Sequence, residues 1–144
     1  PEMSAYGIQE TVLRAIDSDQ FDCAVMNLAN PDMVGHTGNL QAAIKATEVS
    51  DSVLGEVLDA VIDSGAMAIV TSDHGNCETM VDDQTGSEHT AHTMNPVPFV
   101  LVNAGSTVGL QRGGSLADVA PTVLDLLNIS APDEMTGKSL VLKR

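Results

Sequence analysis

The chain has 144 residues, with 20 Asp or Glu against only 6 Lys or Arg, which gives a formal net charge of −14 at pH 7. Such a balance excludes a basic surface for nucleic acid and disfavours an anionic membrane, because both need clustered cations. Hydrophobic residues make up 43% of the chain and aromatic residues 2%, so we expect a folded domain with an aliphatic core.

Apolar residues at helical spacing predict three helices. The first follows Ser4 and ends near Asp17, the long second one runs from Asn39 to about Ser64, and the third begins at Asp118. Gly65 stands where a helix C-terminus favours glycine.

Three continuous apolar runs are too short for helices and predict buried strands, namely Phe21 to Ala29, Ala66 to Thr71 and Phe99 to Val102. The segments 32–38, 81–94 and 105–114 are polar or rich in glycine and predict loops. Buried strands that alternate with helices indicate an α/β fold with a mostly parallel sheet.

Two isolated cysteines, Cys23 and Cys77, form no C-x-x-C motif and no disulfide framework. This usage favours a reducing compartment, and we expect a cytoplasmic location. Cys23 lies in an apolar run and is expected in the core, whereas Cys77 lies near a candidate site.

Carboxylates and imidazoles cluster in three segments that are associated with the predicted strands. The clusters are Asp32 with His36, Asp73 with His74, and His89 with His92. The carboxyl ends of strands bind ligands in open α/β sheets, and these side chains without thiolates suit Mn, Mg or Zn. Positive φ at Gly75 is expected to turn Asp73 and His74 toward one site. The number of ligands suggests a two-metal site that is incomplete within this chain.

Three other segments resemble functional motifs but lack the residue spacing that those motifs require. Gly137-Lys138-Ser139 lacks the upstream glycine of a phosphate loop, and the glycines of segment 105–114 do not follow the dinucleotide-binding pattern. Ser72 beside Asp73 and His74 lacks the G-x-S-x-G turn of a serine hydrolase.

The segments 30–38, 72–76 and 89–98 together closely resemble the cofactor-independent (2,3-bisphosphoglycerate-independent) phosphoglycerate mutases of the alkaline phosphatase superfamily. Segments 1–5 and 118–122 fit the same family, so the resemblance covers nearly the whole chain. Asp73-His74-Gly75 is shared across the superfamily, whereas the first and last of the three segments are typical of this mutase. A partial three-layer α/β/α alkaline-phosphatase-like fold is what the resemblance implies.

The resemblance also implies a chemistry. Two divalent ions, Mn by preference with Zn or Mg as alternatives, activate a serine that accepts the phosphoryl group of phosphoglycerate and returns it to the neighbouring hydroxyl. This reaction interconverts 3-phosphoglycerate and 2-phosphoglycerate in glycolysis. Asp32, His36 and His92 would hold one ion, while Asp73 and His74 would supply half of the second site. His92 is preferred to His89, expected as an exposed loop residue, because it keeps the family's spacing to Asn95-Pro96.

The serine nucleophile, a further Asp ligand and an Arg-rich substrate-binding domain of that family match nothing in this sequence. Residues 1–144 are therefore expected to be the C-terminal segment of the phosphatase domain, with no catalytic residue of their own and no turnover alone. The full-length parent is expected to be monomeric, whereas self-association of the isolated segment stays open because missing strands would leave edges uncovered.

Two other functions stay open. One is a different phosphatase or phosphomutase of the same superfamily, such as phosphopentomutase, and substrate profiling of the parent separates it from the mutase. The other is a non-catalytic acidic metal-binding module.

Overall fold

The computed structural model describes residues 1–143, which divide into two compact units, and the division along the chain falls between Val102 and Asn103. The first unit contains the helices α1 (Ala5–Ser18), α2 (Asn30–Gly35) and α3 (Leu40–Asp63) and the strands β1 (Ala68–Thr71) and β2 (Phe99–Val102). The second unit contains β3 (Val108–Leu110), the 3₁₀ turn Leu116–Asp118, α4 (Val119–Leu126) and β4 (Val141–Lys143).

The long helix α3 organises the first unit. Its buried residues recur every three or four positions and form one face, namely Ala43, Ala46, Val49, Val53, Val57 and Val61. Helices α1 and α2 both pack against α3, and Ala5 and Leu28 meet Val49 and Val53 in the core. The Asn39 side chain caps α3 by accepting a hydrogen bond from the Ala42 N–H, and Gly65 ends it with φ of +76°.

Helix α2 lies where the sequence predicted a loop. Asn30-Pro31 predicts the end of an apolar strand and the start of a loop. Proline also fits the first turn of a helix, however, because the N–H that it lacks has no partner there. The Asn30 side chain is buried and donates to the carbonyl oxygens of Pro1 and Glu2 at 2.7 and 2.8 Å.

The run Phe21 to Ala29 forms no strand, contrary to the prediction. A strand requires a neighbour for its backbone hydrogen bonds, and none of residues 1–143 pairs with this segment. Most of its side chains are exposed, Val25 by 96%, although Leu28 packs against the core, and Cys23 is exposed rather than in the core.

The strands β1 and β2 form where they were predicted, but they pair antiparallel, with Ala68 opposite Val102 and Thr71 opposite Phe99. The predicted sheet was mostly parallel, and parallel neighbours are usually joined by a crossover helix. Residues 72–98 between these strands contain no helix, and the chain turns back on itself.

In the second unit, β3 and β4 also pair antiparallel, although segment 105–114 was predicted to be a loop throughout. Asp118 lies just before α4, as predicted, with Pro121 in the first turn of the helix. Across residues 1–143 no helix combines the length and apolar character needed to cross a membrane.

Candidate metal centre

Helix α2 and the residue that caps its C-terminus supply the first two candidate ligands. Asp32 and His36 are four residues apart, which places both side chains on one side of a helical turn. The Oδ1 atom of Asp32 lies 3.2 Å from the Nε2 atom of His36. A segment that was predicted to be a loop thus holds these two residues by helical geometry.

Two irregular segments bring two further histidines, His74 and His92, to the same carboxylate. The Nε2 atom of His92 lies 3.0 Å from Asp32 Oδ1 and 3.0 Å from the Nε2 atom of His36. The Nε2 atom of His74 is 3.9 Å from Asp32 Oδ1, and the His74 ring stacks on His92 with centroids 3.6 Å apart.

Asp73 lies at the edge of this cluster. Its side chain is 79% exposed, and its Oδ1 atom is 3.6 Å from the Nε2 atom of His74. The structure therefore brings together all five residues that the sequence singled out. His89 contributes no ligand atom to the cluster, and it is half-buried rather than exposed, with Nδ1 buried and unpartnered among residues 1–143.

Backbone carbonyl groups determine the orientation of two imidazoles. The Nδ1 atom of His36 lies 2.6 Å from the carbonyl oxygen of Thr90, and the Nδ1 atom of His74 lies 3.3 Å from that of Gly75. A carbonyl oxygen can only accept, so each Nδ1 carries the proton and a neutral ring has its lone pair on Nε2. Both lone pairs are therefore available at the cluster, as in metal sites whose histidines are fixed by outer hydrogen bonds.

The Asp32 carboxylate is held in its ionised form. Burial raises the pKa of Asp32, but a hydrogen bond from Asn76 and the neighbouring imidazoles His36 and His92 outweigh burial and leave the pKa below its usual range. Asn76 is only 6% exposed, and its Nδ2 atom donates to Asp32 Oδ1 at 2.8 Å.

A divalent cation fits this donor set. Asp32 Oδ1, His36 Nε2 and His92 Nε2 form a triangle with edges of 3.0, 3.0 and 3.2 Å. Ligands about 2.0–2.2 Å from a common ion in tetrahedral geometry are separated by about 3.3–3.6 Å, close to these edges. Asp32, His74 and His92 also offer ligand atoms within 4.8 Å of one another. A bound cation would take one lone pair from each of these atoms, with His92 neutral and unprotonated at Nε2.

Cys77 lies beside the cluster but is not suited to be a ligand. Its thiol donates to the carbonyl oxygen of Pro31 at 2.8 Å. Burial, followed by the carboxylates of Glu78 and Asp32, raises the pKa of Cys77 and keeps it protonated. Metal coordination requires the thiolate, so the predicted carboxylate and imidazole site is the chemistry that remains.

Gly75 contributes space rather than an unusual dihedral angle. We expected positive φ at this residue, but Gly75 is not among the glycines with positive φ. A Cβ atom at Gly75 would instead collide with the side chains of Thr93 and Glu78. The close approach of segments 74–78 and 92–95 therefore requires glycine.

Sequence reasoning gave no role to Asn76 or Thr90, which orient Asp32 and His36. Asn76 directly continues Asp73-His74-Gly75, and this proximity was the available signal. Thr90 acts through its backbone carbonyl, so no side-chain pattern could identify it.

Comparison with known proteins gives a consistent result. The Metalloenzyme superfamily pattern matches residues 1–131. The chain is 49% identical to the 2,3-bisphosphoglycerate-independent phosphoglycerate mutase of Clostridioides difficile (strain 630), over 99% of the chain and 28% of the relative. It is 52% identical to the protein of the same name from Chloroflexus aurantiacus (strain ATCC 29366 / DSM 635 / J-10-fl), over 100% of the chain and 27% of that relative. The chain thus spans about 28% of the length of the curated relatives that it matches.

The fold comparison agrees. A crystal structure of Leishmania mexicana phosphoglycerate mutase at low cobalt concentration superposes with a TM-score of 0.91 at 32% identity, covering 100% of this chain and 29% of that one. This match confirms the predicted α/β class and the predicted resemblance to phosphoglycerate mutases. Together with the ligand cluster, the family match implies divalent metal binding. The chain belongs to the Metalloenzyme superfamily.

Proposed function

We propose that this chain is the C-terminal metal-binding segment of the phosphatase domain of a cofactor-independent phosphoglycerate mutase. The parent protein would interconvert 3-phosphoglycerate and 2-phosphoglycerate in glycolysis through a phosphoserine intermediate, and it would work in the cytoplasm. The convergence of Asp32, His36 and His92 on one point is the observation that carries this proposal.

Asp32, His36 and His92 would hold one divalent ion, and Asp73 and His74 would supply half of a second site. Two bound ions, Mn by preference, would promote ionisation of the serine hydroxyl and stabilise charge on the phosphoryl oxygens. The ionised Asp32 offsets part of the cation's charge, while neutral imidazoles add ligands without adding charge. Asn76 and Thr90 orient these ligands.

The charge of the chain bears on substrate binding. Phosphoglycerate is an anion, and the chain has a net charge of −14 with only six basic residues. We therefore propose that cationic residues outside this chain bind the substrate. We propose that the serine nucleophile also lies outside this chain. The purified chain by itself would bind metal without turning over phosphoglycerate.

Calorimetric titration of the 144-residue chain with Mn²⁺ tests the proposal. We expect His92→Ala to weaken binding by at least about tenfold, since it removes a ligand. His89→Ala is the matched control, because His89 lies in the same segment but outside the cluster. Equal affinities for wild type and both variants would contradict the assignment of the first site.

A further inference from the structure

Glu78 makes three hydrogen bonds that join the two irregular segments of the metal centre. Its Oε2 atom accepts from the backbone N–H of Asn76 at 2.6 Å. Its Oε1 atom accepts from the Thr93 hydroxyl in a short contact and from Nδ2 of Asn95 at 2.9 Å. The carboxylate is exposed and makes these bonds although water is available to it.

The residues that Glu78 holds are neighbours of the candidate ligands. Thr93 directly follows His92, and its N–H donates to the carbonyl oxygen of Gly75 at 2.9 Å. Asn76 lies two positions after His74 and donates through its side chain to Asp32. The Glu78 carboxylate thus holds residues that neighbour His74 and His92 in the chain, and one of them, Asn76, orients the Asp32 side chain.

The local geometry is built around this carboxylate. A Cβ atom at Gly75 would collide with Glu78 Oε1 and with Thr93 Oγ1, so glycine leaves the space in which the two meet. None of these three hydrogen bonds of the Glu78 carboxylate goes to a ligand atom of Asp32, His36 or His92. An effect of Glu78 on ligand geometry therefore passes through the residues that it holds, and its charge acts separately through space, as it does on the Cys77 thiol.

We propose that Glu78 is a positioning residue of the metal centre, which clamps segment 74–76 to segment 92–95 so that His74, His92 and Asp32 are presented together. This inference rests on the proposed metal-binding function. It assigns no direct role to Glu78 at the ion or the substrate. Outer partners of this kind typically contribute about 10–100-fold to metal affinity.

The test uses Glu78→Gln in the 144-residue chain, because glutamine keeps the size but replaces one acceptor oxygen with a donor. We expect Mn²⁺ affinity to fall about tenfold and the visible absorption of the Co²⁺-loaded chain to change, since ligand geometry is altered. Glu134→Gln removes the same charge from an exposed residue of the second unit and is expected to change neither. Unchanged affinity and an unchanged Co²⁺ spectrum in Glu78→Gln would overturn the proposal.

A measurement without metal separates this inference from the proposed function. In the metal-free chain, Glu78→Gln is expected to shift the imidazole ¹H–¹⁵N resonances of His74 and His92. A wild-type chain that binds no Mn²⁺ contradicts the proposed function, whereas unchanged His74 and His92 resonances contradict the role of Glu78. If Glu78→Gln fails to fold, Thr93→Val removes the hydroxyl donor to the same carboxylate, and the same readouts apply.

Discussion

The second unit uses its buried and half-buried polar groups to hold its own backbone. Asp118 accepts from the N–H groups of Ser115 and Lys138, each at 2.7 Å. The Thr122 hydroxyl donates to the carbonyl oxygen of Asp118 at 2.6 Å and accepts from the Leu140 N–H at 2.9 Å. In this network each acceptor faces a donor that the chain itself provides.

The first unit arranges a similar set of groups in the opposite way. Asp32, His36 and His92 direct one carboxylate oxygen and two imidazole Nε2 atoms at one another, and the Asn76 amide donates from the protein side. The pKa of Asp32 and that of Asp118 are both lowered, so a lowered pKa does not distinguish a binding carboxylate from a structural one. The two carboxylates differ in the groups around them: Asp32 lies among imidazole nitrogens that can coordinate a cation, whereas Asp118 lies among backbone donors.

The largest effect that this comparison predicts is on metal affinity. Asp32→Asn keeps the side-chain shape but removes the anion at the centre of the cluster, and we expect Mn²⁺ affinity to fall by about 100-fold or more. Calorimetric titration measures the change, with Asp83→Asn as a control because Asp83 is exposed and outside the cluster. A similar loss of affinity in both variants would mean that net charge, rather than the cluster, attracts the ion.

A smaller effect is expected on stability in the second unit. Thr122 is fully buried, and Thr122→Val leaves the Leu140 N–H without its acceptor at a cost of about 1–3 kcal/mol in the free energy of unfolding. Urea unfolding measures this cost, and Mn²⁺ affinity of the folded variant should equal that of wild type. Thr11→Val is the control, since the exposed Thr11 hydroxyl bonds only within its own helix. Loss of Mn²⁺ affinity in folded Thr122→Val would break the distinction between the units.

The smallest effect concerns acid stability. Backbone hydrogen bonds from Lys138 and Ser115 lower the pKa of Asp118. The folded chain therefore binds fewer protons than the unfolded chain just below the ordinary aspartate value of about 3.9, and stability declines as the pH falls through that window toward the lowered pKa. Asp118→Asn should flatten this part of the curve of unfolding free energy against pH. An unchanged slope would show that Asp118 does not contribute.

The sequence predicted the elements whose signals are local. Helix α3 has an N-cap at Asn39, a glycine at position 65 and a continuous apolar face, so its limits were predicted to within about a residue. Strand pairing depends on distant neighbours, and for that reason the run 21–29 and the direction of β1 against β2 were not predicted.

The five candidate ligands could be singled out from the sequence because their residue types are distinctive and their segments resemble a known family. The role proposed for Glu78 could not be predicted, because its partner Thr93 is 15 residues away and nothing in the intervening sequence indicates that the two segments come into contact. The helical geometry behind Asp32 and His36 was also missed, because proline can either end a helix or begin one.

The hydrogen bond from His36 to the Thr90 carbonyl has a consequence for the entropy of metal binding. It ties α2 to the segment that carries His92, so two candidate ligands that are 56 residues apart are ordered when the chain folds. An arriving ion then restricts little additional backbone freedom. The loss of conformational entropy belongs to folding rather than to binding, and more of the ligand–metal interaction energy is retained as affinity.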